Sequence, residues 1–410
     1  DGGAVAEHPD FDSRLTQVDG ATAVSNHSTH VAGTLMGSGQ GLYDIQGNYA
    51  ARGMAYSALL HAYDWNSDTA EMAGAAGAGL LLSNHSYGIA AGWIDTGGEW
   101  WWIGGESSNE DANFGYYDSE TRLWDQIAFD APYYLIVKAA GNDRWDIGPQ
   151  NGEEYTIVDQ AGNPITTSNA PRPPDCAPAG YDCLPTTSVA KNILTVGAVD
   201  DIPGGYSPLA GPGQVQMAGF SSWGPTDDGR IKPDVVGNGI LVLSTVAYNP
   251  FYAESLGTSM AAPNVTGSLL LLQQHYQDSH GVGVFMRAAT LKALAIHTAD
   301  EAGDAPGPDY EFGWGLLNTE AAGNQLPIAV DDDYLTAVDT PVTGNVLDND
   351  DLGDTPATAD LLAPTASGSL TLNQDGGFTY TPQSGFEGSD GFTYAITDGN
   401  GDTSNTATVL

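Results

Sequence analysis

Positive charge is what this chain lacks most. Its 410 residues hold 11 Lys and Arg against 52 Asp and Glu, a formal net charge of −41. A surface of that sign repels nucleic acid and anionic membranes, so neither is expected as a partner. It suits solubility in salt, as in a marine or other saline setting, and it suits multivalent cations. Cysteine is nearly absent: Cys176 and Cys183 stand with six residues between them in a loop rich in Pro and Gly. A local disulfide is the leading expectation and fits an oxidising, extracytoplasmic compartment. Two free thiols are the alternative, and with no histidine nearby a zinc site is disfavoured. No run of about 18 apolar residues occurs, so no membrane-spanning helix is expected. No signal-peptide pattern opens the chain. It starts at Asp1 and stops inside a strand-like run at Leu410, and so reads as a segment of a longer protein.

What the chain does have is a serine at a helix entrance. Gly257-Thr258-Ser259-Met260-Ala261-Ala262-Pro263 leads into an apolar run from Val265 to Leu272. A serine hydroxyl is a poor nucleophile without a base beside it. A helix N-terminus offers unpaired N–H groups and partial positive charge to an oxyanion. A base and an acid lie upstream, in Asn26-His27-Ser28-Thr29-His30-Val31-Ala32-Gly33-Thr34 and in Asp1-Gly2-Gly3, the latter followed by His8-Pro9-Asp10-Phe11. The order Asp, His, Ser is that of subtilisin, distinct from chymotrypsin and from the α/β-hydrolases. No Gly-x-Ser-x-Gly elbow surrounds Ser259, which argues against the latter. The bland alternative is a helix-capping serine without chemistry.

On these residues the chain resembles the subtilisin-like serine proteases, or subtilases. The family pattern His-Gly-Thr-His-Val-Ala-Gly stands here as His27-Ser28-Thr29-His30-Val31-Ala32-Gly33, with Ser28 a tolerated departure. The resemblance makes His27 the base, Asp1 its orienting acid and Ser259 the nucleophile. His30, one helical turn on, reads as a satisfied, partly buried histidine. Leu135 to Asn142 resembles the stretch ending in the family's oxyanion asparagine, here Asn142. Leu82-Ser83-Asn84-His85-Ser86-Tyr87-Gly88 resembles its substrate-binding edge, where Ser86, Tyr87 and Gly88 would pair with an extended peptide. Ala139, Ala140 and Gly141 complete the implied substrate-binding set. Phe220 to Thr226 and Lys232 to Val236 match a further block, which ends in Gly237-Asn238-Gly239 where the family has Ala-Pro-Gly. Tyr310 to Gly315 resembles the closing motif, so the likeness covers about 325 residues. It implies acyl transfer by a secreted endopeptidase acting on proteins or peptides, with no cofactor needed for the chemistry. A surface adhesion or binding protein with an inactive protease-like domain is the alternative.

Residues 1–325 alternate strand-like runs (58–63, 80–83, 134–138, 193–199 and 235–244) with helical ones (31–36, 71–79 and 123–130). Such alternation predicts α/β architecture, a parallel sheet with helices on both faces and a site at the strand carboxyl ends. Trp93, Trp100, Trp101 and Trp102 read either as an aromatic wall beside the cleft or as a loop packing on its own domain. Trp145 to Cys183 reads as an irregular insertion. If Asp1 is the true N-terminus, the strand that would deliver this aspartate would be missing and an α-ammonium would compete for its carboxylate. The segment alone is therefore expected to fold poorly or act weakly.

Composition breaks near Leu326-Pro327, beyond which Lys, Arg, Trp, Cys and His are absent. Leu370 and Leu372, the turn Asp375-Gly376-Gly377, then Phe378 and Tyr380 predict a hairpin, with strands at 392–396 and 406–409. Residues 326–410 are thus expected to form an antiparallel β-sandwich. Asp331-Asp332-Asp333-Tyr334, Asn345 to Asp350, Gly388-Ser389-Asp390 and Thr397 to Gly401 resemble bacterial Ig-like, cadherin-like surface repeats. Such a domain implies a surface or matrix ligand. The loop carboxylates suit structural Ca²⁺. The alternative is a solvated acidic surface, and with no EF-hand spacing no metal ligands are assigned.

Overall fold

The computed structural model describes all residues except 43–49, 106–109, 150–152, 160–162, 170–171, 173–174, 177–179, 249–250, 325–326 and 400. The chain divides into two compact units, Asp1–Gln274 with Gly283–Thr319, and His275–Val282 with Glu320–Leu410. In order, the elements reaching into the first are β1 (Leu15–Gln17), α1 (Asn26–Met36), β2 (Leu60–Ala62), α2 (Asp68–Gly77), β3 (Leu82–His85), β4 (Trp93–Asp95), β5 (Trp100–Trp102), α3 (Ser119–Asp130), β6 (Leu135–Ala139), β7 (Tyr155–Val158), β8 (Pro164–Ser168), β9 (Leu194–Val199), β10 (Val235–Asn238), β11 (Val242–Thr245), β12 (Tyr252–Ser255), α4 (Thr258–His280) and α5 (Ala288–His297).

Strands β3, β6, β9 and β10 form one parallel sheet. Strands β6 and β9 are buried along their whole length, which is why they read as near-continuous apolar runs. Met72 of α2 and Trp124 and Ala128 of α3 pack on Tyr134 and Ile136, covering the sheet at β6. Helix α4 crosses β10 at Gly237, where a Cβ would stand 3.0 Å from Val265. Strands β1 and β2 form a separate parallel pair. A cavity of about 520 Å³ lies between the two sheets, lined by Leu60 and Ala62 of β2, Leu82 and Asn84 of β3, and Asp1.

Helix α1 starts where Ser25, in extended conformation, accepts the Ser28 N–H on its side chain at 3.2 Å. Its Ala32, Leu35 and Met36 bury against Phe11. Gly33 faces β11 so closely that a Cβ would strike Thr245 Oγ1 and Ser244 Oγ. These hydroxyls donate to the carbonyls of Thr29 and His30, each at 2.8 Å, and lock the helix onto β11. His30 is buried and its Nε2 bonds the Val242 and Ala253 carbonyls, while its Nδ1 has no partner among the described residues, so it is more deeply buried and less fully satisfied than the sequence suggests.

The tryptophans belong to a second sheet, ordered β4-β5-β7-β8. Trp93 and Trp102, each 1% exposed, pack on one another and on Tyr155 and Ile157. Self-packing is thus the reading the fold supports. The Trp145–Cys183 insertion is not irregular throughout: it supplies β7 and β8, whose partners lie in the tryptophan hairpin and in each other.

The second unit carries α6 (Thr319–Gly323) at its border and two antiparallel three-stranded sheets. One orders β13 (Val342–Asn345), β16 (Gly377–Pro382) and β15 (Gly368–Leu372); the other, β14 (Thr358–Ala363), β17 (Phe392–Thr397) and β18 (Ala407–Val409). Phe378 from the first and Tyr394, Ile396 and Ala407 from the second share one core. The β15–β16 hairpin forms as read; β13 and β14 lack a comparable sequence signal. Many loop carboxylates serve the fold itself. Asp350 accepts Val330 N at 2.7 Å and the Tyr394 hydroxyl at 2.8 Å, and Asp390 accepts Ser367 N at 2.7 Å and the Tyr380 hydroxyl at 2.9 Å. Among the described residues no group of three or more His, Cys, Asp or Glu is disposed to hold a metal ion.

Candidate active site

His27 is the second residue of α1, and its side chain is 44% exposed. Its Nδ1 lies 2.9 Å from Asp1 Oδ2. A carboxylate can only accept, so Nδ1 carries the proton and Nε2 is the free basic nitrogen. The other Asp1 oxygen accepts Gly2 N at 2.9 Å. Ser28 Oγ donates to Gly2 O at 2.8 Å, so the serine that departs from the family pattern ties α1 to the Asp1–Gly2 segment. Partial burial holds the His27 imidazole below its ordinary range, keeping it neutral at neutral pH.

Ser259 is the second residue of α4 and 9% exposed. Its hydroxyl donates to Ser86 O at 3.1 Å, and Ser86 Oγ donates back to Ser259 O at 3.0 Å. The second bond has a local cause. Ser259 O would normally accept the N–H four residues on, but that residue is Pro263, which has none. Ser86 fills the vacancy and pins the start of α4 to the carboxyl end of β3. Among the described residues, no hydrogen bond joins His27 Nε2 to Ser259 Oγ.

Asn142 follows β6. Its Oδ1 accepts both Thr258 N and Thr258 Oγ1 at 2.9 Å. That fixes the amide so that its NH₂ group, exposed and without a partner among the described residues, stands beside the amino end of α4. Gly257, at φ 141°, takes a backbone conformation that favours glycine, and a Cβ there would be in ordinary contact, 3.6 Å from Asn142 Nδ2.

The substrate-binding residues read from the sequence fall in two segments. Ser86, Tyr87 and Gly88 follow β3; Ala139 ends β6 and Ala140 and Gly141 follow it. Ala139 and Ala140 are buried, so what they can offer a ligand is backbone. The Tyr87 side chain turns inward, its hydroxyl donating to Asp68 Oδ2 at 2.9 Å. Sequence reasoning missed Ser86 as a side-chain donor, Thr258 as the holder of Asn142, and Lys138. Of the three, Lys138 left a trace: a charge inside the apolar strand Leu135–Ala139. Cys176 and Cys183 form a disulfide, packed against Ala91 and Phe114.

The profile of the subtilase family matches residues 1–315, and that of a bacterial Ig domain matches residues 324–410. A C5a peptidase of Streptococcus pyogenes serotype M3 is 36% identical over 119 residues, 29% of this chain and 10% of that protein. The serine protease AprX of Bacillus subtilis is 32% identical over 106 residues, 22% of this chain and 23% of that one. This chain thus matches between 5% and 10% of the length of the C5a peptidases it resembles. Among solved structures, a serine-to-alanine mutant of the PatA protease domain aligns with a TM-score of 0.50 at 20% identity, over 78% of this chain and 91% of that one. The prenylagaramide maturation protease PagA aligns with the same score and identity, over 78% and 89%. At this identity the likeness concerns the fold.

Proposed function

The chain belongs to the subtilase family, and from that premise we propose that it is a secreted serine endopeptidase acting through Asp1, His27 and Ser259. The observation that carries the reading is the 2.9 Å bond between His27 Nδ1 and Asp1 Oδ2. It leaves Nε2 basic on the one histidine that the family motif assigns. In this reading the Ser259 hydroxyl rotates from Ser86 O to His27 Nε2 when a peptide enters. His27 takes its proton as Oγ attacks the carbonyl, and Asp1 stabilises the imidazolium. The Asn142 amide and the Ser259 N–H, a first-turn donor of α4 without a partner among the described residues, hold the oxyanion. His27 then protonates the leaving amine, and water releases the acyl group by the same steps. The chemistry proposed needs no cofactor, and structural Ca²⁺ on the acidic loops of the Ig-like unit is a proposal to which no ligands are assigned. The disulfide supports an extracytoplasmic location.

The competing reading is a surface binding protein with a silent protease-like unit, and the Ser259 proton resting on Ser86 O favours it. A fluorophosphonate probe separates the two. Labelling of the wild type, lost in both Ser259→Ala and His27→Ala, is the expected result. Absence of labelling in folded wild-type protein would leave the binding role standing.

A further inference from the structure

Among the described residues, two lysines are deeply buried in the first unit, and one of them has a counter-ion. Lys232 Nζ lies 2.6 Å from Asp234 Oδ2 and donates to Thr195 Oγ1 at 3.0 Å. Lys138, also 2% exposed, has no carboxylate within ion-pair distance among the described residues. Its Nζ donates to two backbone carbonyls instead, Tyr87 O and, at 3.2 Å, Ala139 O. The Tyr87 ring centroid is 5.7 Å from Nζ, and a Cβ on Gly88 would be 3.7 Å away. Lysine is almost never buried without a paired anion, because desolvating the ammonium is so unfavourable. That burial lowers its pKa to about 8, against the pull of Asp143 and Asp68. A valine or alanine would extend β6 without this penalty, so the position has another use.

The two acceptors show what it is. Strands β3 and β6 pair in register only as far as His85 opposite Lys138. Past that point the ladder ends and the chains diverge into Ser86–Gly88 and Ala139–Gly141. The Lys138 ammonium bridges them at the step where backbone pairing stops. It also fixes orientation. The Ser86 carbonyl faces Ser259 and the next carbonyl, Tyr87, faces Lys138. Holding the second toward Lys138 holds the first toward Ser259, beside which a peptide would add to the edge.

We propose that Lys138 is a positioning residue that sets the spacing and carbonyl orientation of the two cleft edges, and so the binding of extended peptides. This rests on the peptidase reading above. The test compares peptide anilides of one to four residues with fluorophosphonate labelling, which reports Ser259 without an extended ligand. In Lys138→Met, KM for the tetrapeptide rises at least tenfold, kcat and the labelling rate change less than threefold, and the gain with peptide length disappears. In Lys138→Gln, whose amide still donates to carbonyls, KM stays within threefold of wild type. Length dependence retained in Lys138→Met, or kcat falling with KM constant, overturns the proposal. A Met variant that fails to melt cooperatively hands the decision to Lys138→Gln. Amide exchange at Tyr87 and Gly88 needs no activity: at least tenfold acceleration in Lys138→Met relative to β3 is expected, and unchanged exchange refutes the clamp. Unlabelled wild type with accelerated exchange would count against the peptidase reading alone.

Discussion

Ser86 and Ser259 exchange hydrogen bonds, each hydroxyl donating to the other's backbone carbonyl, at 3.0 and 3.1 Å. Pro263 is the reason that Ser259 O is available, since it lacks the N–H that would otherwise close the first helical turn. The proline of the serine motif and the serine of the substrate edge, far apart in sequence, therefore solve one problem together.

The first prediction follows from that pairing. Ser86→Ala leaves a buried carbonyl without a donor, which costs about 1–3 kcal/mol. Pro263→Ala supplies an N–H to the same carbonyl. Urea unfolding of the two single variants and the double should then be non-additive, with the double recovering most of the loss from Ser86→Ala. Simple additivity would show that the proline and the serine do not share that carbonyl.

Burial keeps His27 below the 6.5 of a free imidazole. Only the neutral ring accepts the serine proton, so a lowered pKa moves the acid limb of activity to lower pH. The expected profile of kcat/KM on a peptide anilide climbs with pH and reaches half its plateau below pH 6.5. Asp1→Asn would favour the wrong tautomer and lower kcat by about 10⁴-fold, as for other triads. A half-plateau above 6.5, or an indifferent Asp1→Asn, would remove His27 from the role of base.

Asn142 and Thr258 divide one task. In the proposed mechanism the Asn142 amide NH₂ is the oxyanion donor; Thr258 holds its carbonyl through two bonds of 2.9 Å. Asn142→Ala should cut kcat by about 10²–10³ with little change in KM, because the bond forms only as charge develops. Thr258→Val keeps the donor but loosens it, and a loss of roughly tenfold is expected from one missing hydrogen bond. If either substitution acted on KM with kcat preserved, Asn142 would be a ground-state ligand.

What the sequence disclosed depended on how local the cause was. The helix behind His27 was legible through the apolar run Val31 to Met36, whereas its cap, Ser25, was not read. The start of α4 was legible through the run from Gly257 to Leu272. The bonds that make these pieces a site were not. Ser86 meets Ser259, and Asn142 meets Thr258, across more than a hundred residues, and no periodicity records such a pairing. Strands β7 and β8 escaped notice because Tyr155–Val158 and Pro164–Ser168 are short and set among turn-forming residues. Their Thr, Ile and Val content was the only cue. Lys138 was visible as a charge in an apolar strand, yet its partner Tyr87 O is fixed by strand register.

The disulfide offers a test of how independent the site is from the insertion. Cys176 and Cys183 close a short loop, which by chain entropy is worth about 2–3 kcal/mol. They pack on Ala91 and Phe114. Nearby, Gly115 N donates to Leu184 O at 2.9 Å, and Cys183 N to Trp223 O at 3.1 Å. Replacing both cysteines by alanine should therefore speed amide exchange at Gly115 and Cys183 and open the segment to an added protease. Among the described residues none of Asp1, His27, Asn142 or Ser259 bonds to this cluster, so the rate of fluorophosphonate labelling should stay within about fivefold, under 1 kcal/mol on the barrier. A collapse of labelling with the fold otherwise intact would mean that the insertion holds the site together.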